Sequence, residues 1–426
     1  MSRNFLYSFF AVILIQCFYN FPLALKSIND AWENLDADLL NAARLLTNKK
    51  SFIFTKIIFP EILPSFISSF LIIFIYCFFS FFIILLFGGL GLTTLEVELY
   101  QVSRSSLNFV EFGQIAFIET LVALVLVAMY TFVKLKMYKA PIEVQKQNLK
   151  TNMNFWEKLV FKVLIIASFL FLILPLFSIF LKSIFKFTST TETNNFFERV
   201  KIFFTLDFSA WKIFARVNTL RAVFNTIMLG LVTALFSTLM AICVIYFEFC
   251  LNLKNKTSFF LKVFPFLPLV ISPLVLGFAL RISFLRSSNL GFFILSLAQA
   301  STAWTLAYAQ IAVQFSQIPK SVFQASALLS VNSFDAFYRV VVPLIKKSCK
   351  AAFALCFAIS AGDASLPLML KLEKFETLSL MIFRLAGAYR FSESACLAFL
   401  LIVLVSLGFV IFQIDFVKLQ KDKKPC

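Results

Sequence analysis

The sequence predicts an all-α fold, a polytopic bundle of about nine membrane-spanning helices in two pseudo-repeated halves. Three observations lead there. Apolar residues make up 60% of the 426 positions and charged residues 14%, where a soluble chain carries about 45–50% and about 25%. The apolar residues gather in runs of roughly 20, the length that crosses a hydrocarbon core about 30 Å thick. Lys and Arg fall in the segments between those runs, so the formal charge of +17 reflects topology rather than a nucleic-acid face.

In chain order the runs lie near 5–25, 62–87, 112–133, 160–181, 219–247, 263–282, 290–315, 348–368 and 395–416. The first exceeds a typical signal-peptide core and has no small-residue cleavage site before Lys26. Lys134, Lys136, Lys139, Lys146, Lys150, Lys158 and Lys162 crowd one connection, Lys254, Lys256 and Lys262 another, and Lys418, Lys421, Lys423 and Lys424 the tail. With alternating spans these share one side, and segments 26–61 and 316–347 join them. By the positive-inside rule that side is the cytoplasm, and the nearly charge-balanced segments 88–111, 182–218, 283–289 and 369–394 face outward.

Composition also narrows the chemistry. There is no histidine, and the eight cysteines form no C-x-x-C pair. Cys17, Cys77, Cys243, Cys349, Cys356 and Cys396 lie in or beside apolar runs and read as small core residues rather than ligands. No metal or other cofactor is therefore expected, and no hydrolytic centre. None of the ten glycines precedes a Lys, so no Walker A loop is present and any ATP would be bound by a separate subunit.

The two long cytoplasmic segments contain a repeat. Leu39-Leu40-Asn41-Ala42-Ala43-Arg44-Leu45-Leu46-Thr47 aligns without gaps against Val322-Phe323-Gln324-Ala325-Ser326-Ala327-Leu328-Leu329-Ser330. Pro60 and Pro343 then follow at the same distance, each after an apolar triplet with a cation just ahead, Lys56 or Arg339. A constant offset of 283 residues argues for duplication. Each copy predicts a short helix on the membrane face, then a turn and a second helix entering the next span. Small Ala42, Ala43, Ala325 and Ser326 permit close approach of another surface, while the paired leucines supply an apolar face. The proline restarts the chain at the membrane entry. Two amphipathic helices that merely cover the ends of the bundle are the plainer alternative.

This pattern resembles the EAA loop of binding-protein-dependent ABC importer permeases, E-A-A-x-x-x-G-x9-I-x-L-P. Ala42, Ala43, Ile57 and Pro60 match in the first copy, and Ala325 and Pro343 in the second. Asn41 and Gln324 stand for the acid, Ser326 for the second Ala, Thr47 and Ser330 for the Gly, Phe59 and Val342 for the Leu, and Val340 for the Ile. Phe87-Gly88-Gly89-Leu90-Gly91 with Thr93-Thr94-Leu95-Glu96, and Gly362-Asp363-Ala364-Ser365-Leu366-Pro367-Leu368 with Glu376-Thr377-Leu378, extend the likeness over nearly the whole chain. The fused iron(III) and thiamine permeases look most similar.

The resemblance implies a type I importer permease fold. It also implies a transport subunit that is not itself an enzyme, residing in the cytoplasmic (inner) membrane. Its partners would be ABC ATPase subunits docked on the two loops, an extracytoplasmic solute-binding protein and membrane lipid, with no nucleic acid. The coupling residues would be Asn41, Ala42, Ala43, Thr47 and Pro60, with Gln324, Ala325, Ser326, Ser330 and Pro343. The organisation expected is 1–137 as an N-terminal half lacking its first three spans, through a late start codon or a truncated gene. A basic linker 138–158, a six-span half 159–418 and a tail 419–426 would follow.

Candidate pathway or outer-gate residues are Gly88, Gly89, Gly91, Gly362 and Asp363, the last an acid near the outer end of a span. Arg281 and Arg286 are candidate anion or partner contacts, though interface anchoring explains them as well. A secondary transporter with internal repeats is the competing reading. It expects charged or broken helices at mid-bilayer and no repeated helix before a proline.

Overall fold

A computed structural model describes residues 8–33, 35, 37–47, 49–88, 91–105, 109–137, 155–185, 208–253, 259–284, 291–372 and 375–413. Among them the regular elements are helices alone. The first part of the chain forms α1 (Phe9–Glu33), α2 (Ala37–Leu46), α3 (Lys50–Ile53), a single π turn (Phe54–Ile58), α4 (Phe59–Phe78), α5 (Phe81–Phe87), α6 (Leu95–Ser105) and α7 (Phe109–Met137). Next come α8 (Phe155–Ile184), a 3-10 turn (Ser209–Ala215), α9 (Val217–Leu253), α10 (Phe259–Val263), a second 3-10 turn (Phe264–Val270) and α11 (Pro273–Phe284). The last part forms α12 (Gly291–Ser316), α13 (Lys320–Leu329), α14 (Ser333–Ala336), a second π turn (Phe337–Val341), α15 (Val342–Gly362), α16 (Ser365–Leu370), α17 (Leu378–Gly387) and α18 (Phe391–Gln413).

Seven of these helices are long and apolar enough to span a membrane, and eight if Phe260–Val270 and Pro273–Phe284, bent by 80°, count as one. The bend follows from sequence. Pro268 and Pro273 withdraw backbone donors, and the Ser272 hydroxyl accepts from Val275 N–H at 3.2 Å to start α11. The run at 348–368, expected as the eighth of the nine spans, is instead split. α15 stops at Gly362, α16 starts at Ser365, and Lys346, Lys347 and Lys350 crowd the first turns of α15. The run at 62–87 divides likewise, because α4 ends at Phe78 and α5 begins at Phe81. Apolarity read along the chain misses such breaks, since both sides of each are equally apolar.

The repeat is carried far beyond the two loops. Adding 283 to the bounds of α1 through α6 reproduces those of α12 through α17 to within one residue, and α18 begins one residue before the position so derived from α7. Both π turns fall in register and end just before Pro60 or Pro343. A proline there cannot donate to the carbonyl four residues back, and one wider turn lets the helix run on past that carbonyl.

Two compact units divide the chain. The first is Met1–Asn152 with Ile242–Phe278 and Ile311–Ile345; the second is Met153–Ala241 with Ala279–Gln310 and Lys346–Cys426. Within the first, α1 packs on α4 and α4 on α7, while α6 lies along α7. Leu99, Val102, Phe112, Ala116 and Phe278 form one core there. Within the second, α18 packs on α8 and α17, and Ile213, Leu378, Leu385 and Leu397 form a core. Phe357 lies between two glycines: a Cβ on Gly230 or on Gly408 would come 2.8 Å from its ring. Small residues at both positions are thus what lets three helices close on one phenyl. The cysteines divide: Cys356 and Cys396 are buried as expected, but Cys17 and Cys243 are exposed.

Candidate functional site

The helices α2 and α13 have the same construction. Ala43 and Ser326 are buried, Ala42 and Ala325 exposed, so in each helix the first of the two aligned small residues faces outward and the second inward. Ala43 packs with Leu35, Leu40 and Ile53, and Ile57, Ile58 and Ile62 close around them. Beneath α13 the support is aromatic, with Phe323 stacked on Phe315 at 5.4 Å and edge-on to Phe249 at 5.5 Å. Gln314 Nε2 donates to the Leu344 carbonyl at 2.8 Å, tying the entry of that segment to its exit. On the opposite faces stand Leu45, Leu46, Leu328 and Leu329, between 87% and 90% exposed. Four leucines held fully out by rigid short helices are a surface built to be covered.

The positions where the resemblance expects glycine explain themselves locally. Ser330 leaves α13 extended, φ −110° and ψ 148°, a conformation that needs no glycine. Its hydroxyl donates to the Ser326 carbonyl, satisfying one of the last open acceptors of the helix. In the first copy Thr47 N–H donates to the Ala43 carbonyl at 3.1 Å, and Thr47 Oγ1 accepts from Lys49 N–H at 3.3 Å. Hydroxyls thus do by hydrogen bonding what glycine does by backbone freedom. Arg339, ahead of Pro343, pairs with Asp335 one turn earlier at 2.6 Å.

Asp363 is the centre of a buried polar connection in the second unit. Gln299 Nε2 donates to its Oδ2 at 3.0 Å and Ser365 N–H to its Oδ1 at 2.9 Å. Gln299 Oε1 in turn accepts from Ser360 at 2.5 Å and Thr233 at 3.4 Å. The Ser379 hydroxyl donates to the Asp363 carbonyl at 2.9 Å. Leu378 N–H donates to Thr226 Oγ1 at 2.8 Å, and Asn225 Nδ2 to the Glu376 carbonyl at 3.1 Å. Both carboxylate oxygens have donors, so the acid fixes the break between α15 and α16 and binds it to α9, α12 and α17.

The glycines differ among themselves. A Cβ on Gly88 would lie 2.5 Å from the Ile84 carbonyl and 2.7 Å from that of Leu92, so that turn excludes any side chain. Gly91 and Gly362 have open space where a Cβ would point and are not sterically required. Gly89 and Arg286 lie outside the described residues.

One feature was missed in the sequence. Glu96 on α6 and Glu119 on α7 are each 1% exposed. The carboxyl of Glu96 is within hydrogen-bonding reach of both Glu119 and Ser272. Burial, followed by the neighbouring Glu119, pushes Glu96 well above the usual carboxylate range. The available signal was Glu119 itself, an acid inside the run at 112–133, since ionisable residues within spans are rare and seldom idle.

Residues 1–136 match the family described as binding-protein-dependent transport system inner membrane component. Among curated proteins the chain is similar to a putative ferric transport system permease of Haemophilus influenzae, 24% identical over 47% of this chain and 34% of that protein. It is also similar to the thiamine transport system permease of the same organism, 22% identical over 95% of this chain and 72% of that protein. A third relative is the molybdenum transport system permease of Azotobacter vinelandii, 30% identical over 31% of this chain and 66% of that protein. The match to the ferric relative thus spans about a third of that protein's length.

Proposed function

Because this chain belongs to the binding-protein-dependent transport system inner membrane components, we propose that it is the permease of an ATP-driven importer coupled through α2 and α13 to separate ATPase subunits. The observation that carries this reading is the equal exposure of Leu45, Leu46, Leu328 and Leu329 in one register. Cover for the bundle ends alone would turn these leucines inward, whereas here Ala43 and Ser326 face the support. The short helix, π turn and proline form a stiff link from the docking face into α4 and α15, so a displacement of the ATPase reaches those helices as a push along their axes.

A solute would be delivered by a binding protein on the outer face and released inward, with no covalent step in this chain. Ferric iron, thiamine and molybdenum are named for the relatives aligned above, and the first two are the cargo classes proposed here. The break between α15 and α16, pinned by Asp363, and the turn at Gly88 are the proposed outer gate elements. A secondary transporter is less well supported, because Asp363 is engaged by donors of its own unit and both docking helices precede a proline in register.

Leu45→Asp with Leu328→Asp places a charge on each docking face without touching its buried side. Expected is loss of ATPase co-purification in mild detergent and at least a tenfold fall in uptake, with the folded yield unchanged. Retention of both in the double variant sinks the proposal.

A further inference from the structure

The transport reading makes no use of Glu96 and Glu119. Two carboxylates that face one another inside a protein repel at close range, and each loses its hydration, so both cannot remain ionised without a cation beside them. Arg104 and Lys134, the cations of α6 and α7 nearest in sequence whose side chains are described, are engaged elsewhere. Arg104, on the helix of Glu96, donates to Tyr100 Oη at 3.0 Å and lies over its ring. Lys134, on the helix of Glu119, donates to Tyr130 Oη at 3.2 Å and lies 4.6 Å from the Phe266 ring. Among the acids, Glu111 on α7 is exposed and Glu98 on α6 half-exposed. None of these four is among the groups that act on Glu96; Glu119 and the Ser272 hydroxyl are.

With both acids ionised, the Ser272 hydroxyl can donate to Glu96, but no donor reaches Glu119 among the described residues. Added between them, a single proton supplies one: the protonated carboxyl donates to the other, and the Ser272 hydroxyl is left to donate to the same pair. We propose that Glu96 and Glu119 together bind one proton, as an acid–carboxylate pair that holds α6 against α7. The site belongs to the first copy of the repeat alone, because the 283-residue offset places Ser379 and Ile402 at the corresponding positions. There Ser379 donates to a backbone carbonyl and no acid is present.

The linkage has a definite sign. Glu96 titrates higher in the fold than in the unfolded chain, so its stabilising contribution is complete below the ordinary carboxylate pKa and is lost as pH rises through the raised value. The test uses the full chain in lipid nanodiscs. Infrared spectra in heavy water at neutral pH should show a protonated-carboxyl band that disappears on alkalinisation and is absent from Glu96→Gln/Glu119→Gln. From the ordinary carboxylate pKa up to the raised value the unfolding constant of the parent should increase about tenfold per pH unit for one proton released and level off above it, and that of the double variant should not change over the same range. Glu119→Gln alone, whose amide can donate to Glu96, should fold and keep the slope over a narrower pH window, because burial still raises Glu96 while the repulsion from Glu119 is gone. Absence of the band in the parent overturns the proposal, as does an unaltered pH profile in the variants. Stabilisation by sodium over choline chloride at equal ionic strength, without the band, would mean a metal cation in place of the proton and equally overturns it.

Discussion

The two copies of the repeat, residues 9–130 and 291–413, keep the same helix boundaries but fill them differently. In the first, α1 is 17% buried over its most apolar window; its counterpart α12 is 56% buried. Ala298, Ala300, Ala303 and Ala307 line the buried part of α12. In α1 the register places Ile15, Cys17 and Asn20 at the first three of these positions and keeps an alanine, Ala24, only at the fourth. Alanines let neighbouring backbones approach, while the larger residues hold them off. The same contrast governs the polar groups. Gln299, Ser360 and Asp363 form a closed set of hydrogen bonds. In the first copy Cys77 takes the place of Ser360 and accepts from Asn20 Nδ2 at 3.4 Å, while the Ser80 hydroxyl, in the place of Asp363, is buried with no hydrogen-bond partner among the described residues. Duplication fixes where helices begin and end, and the residues between those limits remain free to make one copy a packed core and the other a more lipid-facing frame.

That contrast can be broken or sharpened experimentally. The largest effect is expected at Phe357, 4% exposed between Gly230 and Gly408. Phe357→Ala should cost about 3–5 kcal/mol by removing a fully packed ring, whereas Phe74→Ala at the equivalent, 46% exposed position should leave the thermal midpoint in detergent nearly unchanged. Similar losses at the two sites would mean that the copies pack alike after all. Asp363→Ala comes next. It strands the Gln299 amide and the Ser365 N–H, for about 1–3 kcal/mol, while Ser80→Ala removes a hydroxyl that bonds to nothing and should be neutral or slightly stabilising. Measured in the same thermal assay, a loss at Ser80 equal to that at Asp363 would show a hidden partner in the first copy. The smallest effect is Ser330→Gly, which restores the family's usual residue. Because Ser330 is extended and its hydroxyl caps α13, glycine should cost about 0.5–1 kcal/mol rather than help, and a rise in midpoint would contradict the hydroxyl cap.

Much of this was legible in the residues. Pro60 and Pro343, the paired leucines and the small residues ahead of them locate α2 and α13, because those features depend on local spacing and on the backbone chemistry of proline. The breaks at Phe79–Ser80 and Asp363–Ala364 were not legible as breaks, since apolar residues stand on both sides. Glu96 was read only as part of a T-T-L-E segment, and its partner lies on another helix, so nothing in the spacing of the two marks them as neighbours.

A membrane bundle of helices built on a repeat could be read from the residues, because apolar run length and the constant offset of 283 residues are one-dimensional quantities. Which polar groups meet is settled in three dimensions. Whether Asp363 is satisfied by Gln299, and whether Glu96 faces Glu119, depends on the rotation of one helix about its axis against another. A turn of about 100° per residue moves a side chain from lipid to core without altering composition.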